Sequence, residues 1–209
     1  MTRNVVLITI LLQLSLISQE KLNDKDALKW YNSVQEKYQK LKTFTADIIS
    51  ETVITGNSVY KMSGKFYVSS PDKFRIHLKN QAGKTVMMAL SNGQTIWQYS
   101  TRTKKVQSRP ASDKDRKKFS FFPSFDMFDS KTLSAEKKED KILLSVNFSK
   151  KKNLKSIFSK VTMLIGQGGL IQNMTMSNKD NSKRISISFK NSKMNGTIEK
   201  KIFEYRESE

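Results

Sequence analysis

The residues equipped for covalent chemistry are few in this chain of 209 residues. His77 is its one histidine, and it has no cysteine. Without a thiol there is no cysteine nucleophile, no disulfide and no cysteine-held zinc. A lone imidazole leaves a metal cluster without its usual second ligand, and no nucleophile elbow accompanies it. The 19 acidic residues stand mostly beside lysines, so paired carboxylates for acid–base work have no anchor. Asn147-Phe148-Ser149, Asn173-Met174-Thr175 and Asn195-Gly196-Thr197 match glycosylation acceptors, a pattern short enough to arise by chance. These features point to a binding protein rather than an enzyme, with no cofactor and no metal.

The chemistry that remains is apolar. Gly64 to Tyr99 contains three aromatic-rich segments separated by the turn signals Ser70-Pro71-Asp72 and Ser91-Asn92-Gly93. In the middle segment Phe74, Ile76 and Leu78 alternate with Arg75, His77 and Lys79, which predicts an antiparallel sheet with one greasy and one wet face. A second apolar group lies farther on. Phe119, Phe121, Phe122, Phe125, Met127 and Phe128 crowd around Pro123. Burying each phenylalanine is worth roughly 1.5–3 kcal/mol, so this cluster must cover something. It is either a plug that fills the mouth of a sheet or a movable lid over a cavity, and a cavity of this kind would suit an acyl chain. Met62, Met87, Met88, Met127, Met163, Met174 and Met176 fall in the strands or the lid, where thioethers repack around variable ligands or simply fill a core.

The elements that must position these groups follow from periodicity. Asn23 or Asp24 can cap a helix whose stripe is Leu28, Tyr31, Val34, Tyr38 and Leu41. From Phe44 the period becomes two, with segments at 44–53, 59–69, 104–106, 142–148, 159–165, 170–177, 184–190 and 198–205 beside the central block. Residues 129–141 read as a long polar stretch. The whole amounts to about ten strands with hairpin-length connections and no βαβ alternation. It predicts a mainly β (α+β) fold: a strongly curved antiparallel sheet, a partial or full barrel, with a few helices on one side.

Charge and the N-terminus bound the location. Lys plus Arg number 38, giving a formal charge of +19. The plainest reading is a solvated surface; attraction to anionic membranes or acidic partners comes next. Nucleic-acid binding lacks zinc spacing, a Gly-rich loop or a stacking signature. Met1 to Asn4 is a short basic start, Val5 to Ile17 an apolar run, and Ser18 a small residue for cleavage. This is the layout of a cleaved signal peptide over 1–18, leaving a single domain over 19–209. The run is shorter than the ~20 residues of a comfortable membrane span.

The N-terminal helix, G-K-F-Y-V-S-S-P-D-K-F-R-I from Gly64, L-S-N-G-Q-T-I-W-Q-Y from Leu90 and the late hairpins around I-S-I-S-F-K-N together resemble the periplasmic outer-membrane lipoprotein carrier (LolA) family. The resemblance is clearest over Leu41 to Val106. It implies an unclosed antiparallel barrel covered by helices, acting as a monomeric periplasmic chaperone. It further implies that acylated lipoproteins are received from an inner-membrane ABC exporter and delivered to an outer-membrane acceptor. It places Phe74 at the mouth of the lipid cavity and makes Ile76, Leu78, Met88, Leu90 and Trp97 its wall, with Phe119, Phe122, Phe125 and Phe128 as the lid. The studied branch carries an Arg before the strand-ending Pro that holds the lid closed. Ser70 stands there in this chain, so either Arg75 or another base takes that role or the lid is gated differently. An envelope sensor, or a carrier of other lipids on the same fold, is the alternative.

Overall fold

The computed structural model describes residues 20–54, 58–101, 103–112, 131–148 and 158–206. The signal-peptide expectation over 1–18 and the phenylalanine cluster at 119–128 lie outside the described residues.

The backbone builds one antiparallel sheet of twelve strands, in the order β1-β8-β9-β10-β11-β12-β2-β3-β4-β5-β6-β7. The strands are β1 (Glu20–Leu22), β2 (Thr43–Ile54), β3 (Ser58–Ser69), β4 (Lys73–Asn80), β5 (Thr85–Asn92), β6 (Thr95–Ser100), β7 (Lys105–Pro110), β8 (Lys131–Lys138), β9 (Lys141–Phe148), β10 (Lys160–Ile165), β11 (Ile171–Ser177) and β12 (Lys183–Met194). Strands β1 and β7 are edges, so the sheet does not close into a barrel. Strands distant in sequence meet at two places, where β1 pairs with β8 and where β12 pairs with β2.

Three segments depart from the sequence reading. Residues 131–138 are polar overall, yet they pair with β9 along their whole length. Leu133 and Ala135 alone supply the alternation, and Ala135 is buried. The three-residue β1 then pairs with β8. At the C-terminus the expected strand over 198–205 is instead a short 3-10 turn, Lys200–Phe203.

One α-helix, α1 (Asp24–Gln39), lies among the described residues. Asn23 caps it: its side-chain oxygen accepts from the Asp26 N–H at 2.9 Å. Ala27, Tyr31, Val34 and Tyr38 form the buried stripe. Leu28, expected in that stripe, is 45% exposed, because it sits one residue off the i, i+4, i+7, i+11 spacing that Ala27 begins. The helix rests on β8 and β9. Beneath it Leu144, Val146 and Met163 are fully buried. Its C-terminal turn is tied to the loop before β11: the Tyr38 hydroxyl accepts the Ile171 N–H at 2.8 Å, and Lys37 Nζ donates to the Gly168 carbonyl oxygen.

Candidate functional site

Register assigns each side chain to a face, since residues directly opposite in a ladder project to the same side. Ile48 lies opposite Gly64, Gly64 opposite Leu78, and Leu78 opposite Met87. Ala46, Phe66, Ile76 and Ala89 make the next row. In the other direction Ser50 faces Ile187, Ile187 faces Met174, and Met174 faces Met163. These rows all belong to the face on which α1 packs, the inner face.

The helix lies over the β8 and β9 side of that face and reaches Phe44 of β2 through the Tyr38 ring. Over β11, β12 and β2 to β5 the described residues leave a hollow of about 340 Å³. Its wall includes Ile48, Met62, Ile76, Leu78, Met174 and Ile187. Met87, Met176, Ile185 and Phe189 also contribute, and the polar members are the hydroxyls Ser50 and Thr52. No ionisable side chain is among the described residues that line it. Packing grades across the face: Met163 under the helix is fully buried, whereas Met174, Met176, Ile185 and Ile187 are only half-buried. Such a volume falls in the range of small-molecule sites, and such a lining takes apolar ligands. Four of the wall residues are methionines, which adapt to ligand shape.

The sequence-predicted site residues divide between the two faces. Ile76 and Leu78 line the hollow. Phe74 shares their face, is 3% exposed and belongs to the buried core cluster. Met88, Leu90 and Trp97 are corrected: Arg75 lies opposite Leu90, His77 opposite Met88 and Leu90 opposite Trp97, which puts all three on the outer face. The lid residues Phe119, Phe122, Phe125 and Phe128 lie outside the described residues. Met174 and Met176 of β11 are among the methionines singled out in the sequence; Ile185, Ile187 and Phe189 of β12 show there only a strand's alternation, not a place in the hollow.

Part of the outer face, expected to be wet, is covered as well. The segment around Lys200–Phe203 lies against β4 and β5. Phe203 is buried there, and so are Met88 and Leu90. Tyr205 stacks on Trp97 with ring centroids 5.9 Å apart at 16°. Arg75 donates to the Ile202 carbonyl oxygen at 3.1 Å. Arg75 therefore faces away from the hollow and does not replace the family Arg over it. His77 is half-buried on this side, with Nε2 and Thr85 Oγ1 2.8 Å apart. Ser70, the position of the family Arg, uses its backbone N–H to bond the Lys42 carbonyl oxygen at 2.8 Å.

Among the described residues no three His, Cys, Asp or Glu side chains converge to hold a metal ion, and no helix is long and apolar enough to cross a membrane. An uncharacterized conserved protein from Thermus thermophilus superposes with a TM-score of 0.51 at 11% identity, over 87% of this chain and 95% of that one. The Pseudomonas aeruginosa MucA/MucB complex superposes with a TM-score of 0.50 at 14% identity, over 87% of this chain and 61% of that one. A LolA-superfamily protein from Nitrosomonas europaea reaches 0.43 at 10% identity, over 88% of this chain and 98% of that one. At such identities the first two likenesses concern the fold alone. No curated protein matches the chain. The family model described as outer membrane lipoprotein carrier protein LolA matches residues 39–206. With an unclosed antiparallel sheet, a helix packed on its inner face and a match across most of its length, the chain belongs to the LolA family.

Proposed function

We propose that this protein is a periplasmic carrier that holds the acyl chains of lipoproteins in the inner-face hollow and moves them from the inner to the outer membrane. The carrying observation is the hollow itself: about 340 Å³, aliphatic and thioether-lined, with no ionisable group among its described lining residues. Burying apolar surface there stabilises a bound chain by about 25 cal/mol per Å², without any directional contact. Such binding is strong and indifferent to the attached protein, as a carrier of many lipoproteins requires. Membership of a family described as outer membrane lipoprotein carriers supports the cargo and the periplasmic location. An inner-membrane ABC exporter as donor and an outer-membrane acceptor complete the route. The cluster Phe119 to Phe128 is the candidate cover.

The alternative reading gives the same hollow to another lipid and the output to a protein partner. The likeness to a MucB chain solved in complex with MucA favours keeping it in view. Purification from the native envelope followed by extraction and mass spectrometry separates these readings. Lipoprotein-derived acyl chains, with lipoproteins crosslinked to the protein in cells, are expected. A free phospholipid or other lipid as the sole cargo would favour the alternative. A protein with no lipid, whose hollow takes up none when offered, would contradict both.

A further inference from the structure

The outer side of β3 and β4, turned away from the hollow, carries a second concavity of about 400 Å³. One wall is strand: Lys65, Tyr67, Arg75, His77 and Lys79. The other is the C-terminal segment, through Lys201, Ile202 and Arg206. Register explains the convergence. Lys65 lies opposite His77, Tyr67 opposite Arg75, and alternate residues of both strands project to one side. The C-terminal wall is held in place by the buried Phe203, the Trp97–Tyr205 stack and the bond from Arg75 to Ile202.

Five cationic side chains and an imidazole thus border one small volume, and no Asp or Glu is among the described residues lining it. Two of the cations have carboxylate partners outside the groove: Lys65 with Asp47 at 3.0 Å and Lys201 with Glu199 at 2.5 Å. Arg75 is half-buried and oriented by a carbonyl, while Lys79 and Arg206 are exposed at the rim. A concavity lined by one sign of charge concentrates counter-ions. A guanidinium fork matches the geometry of phosphate oxygens, and lysines supply compact charge beside it. The Tyr67 hydroxyl and the His77 ring bring hydrogen-bonding capacity to the same wall.

We infer that this groove is a binding site for a phosphate oxyanion, carried on a soluble phosphate ester or on the headgroup of an anionic phospholipid. The site is independent of the acyl hollow, because the sheet separates the two. The full chain is titrated by calorimetry at low ionic strength with inorganic phosphate and with glycerol phosphate. In parallel it is sedimented with vesicles of phosphatidylglycerol and phosphatidylcholine, and with vesicles of phosphatidylcholine alone. Saturable binding of one anion per chain, weakened at least tenfold in the double variant Lys79→Gln/Arg206→Gln, is expected. Both residues are exposed, so the double variant should keep its far-UV circular dichroism. Binding of the soluble anions assigns the site to soluble esters. Binding confined to phosphatidylglycerol vesicles, with the same sensitivity to the double variant, assigns it to the headgroup. The proposal is overturned if neither soluble anion nor anionic vesicle binds, or if binding survives the double variant unchanged.

Discussion

Gly64 occupies a position in the inner-face row between Ile48 and Leu78 where β3 and β4 approach closely. A Cβ there would fall 1.8 Å from the His77 carbonyl oxygen. Backbone cannot yield as a flexible side chain does, so Gly64→Ala should part β3 from β4. We expect a loss on the order of 2 kcal/mol, read as a lower denaturant midpoint. Tyr38 is the second residue with a physical signature. Its hydroxyl accepts the Ile171 N–H, and burial pushes its pKa up to about 12 from the ordinary 10.0. The folded protein holds this proton where the unfolded chain releases it. Its contribution to stability is therefore full below pH 10 and lost as pH rises toward 12. Tyr38→Phe should lower stability at neutral pH by about 1–3 kcal/mol, by stranding the Ile171 donor. It should also flatten the fall in stability between pH 10 and 12. An alkaline limb unchanged in the variant would show that another group governs it.

At the scale of elements, the helix and the C-terminal segment divide the work. The helix covers one side of the inner face, and the segment covers a patch of the outer face. The strands from β2 to β6 were legible in the sequence because turn residues and strict alternation agree there. The face assignment of β5 was not. Its stronger apolar set, Met88 and Leu90, belongs to the cavity wall by the family resemblance, yet the ladder puts it outside with Arg75 and His77. Alternation reveals that a face is covered and is silent about what covers it. Here the cover is Phe203 with its neighbours, although Ile198, Ile202 and Tyr205 give this segment the apolar spacing of a strand. The opposite error hid β8, whose inner face needs only Leu133 and Ala135 because α1 packs directly above. Two predictions belong here. Phe203→Ala should cost about 3–5 kcal/mol and alter the fluorescence of Trp97, while acyl-chain binding by the folded fraction stays unchanged. Asn23→Ala removes the helix cap and should cost about 1 kcal/mol in thermal or denaturant unfolding.

For the whole molecule, the two faces give the sheet two separate capacities. The inner hollow is uncharged among its described lining residues and suited to hydrocarbon. The outer groove is cationic and suited to oxyanions, within a chain of formal charge +19. Of the inner wall, Ile76 and Leu78 were foreseeable as members. That β11 and β12 join the same wall was not, because it depends on the crossover that brings β12 beside β2. That long-range pairing leaves no local mark on either strand. The central claim is that the inner face binds acyl chains, and Ile187 tests it most directly. It is half-buried in the hollow wall, so Ile187→Glu places a carboxylate in the acyl path without emptying the core. The measurement is equilibrium binding of a triacylated lipopeptide to the unaltered protein and to Ile187→Glu, each verified as folded by circular dichroism. The account predicts saturable binding that falls at least tenfold in the variant. Equal binding by the two proteins would contradict it.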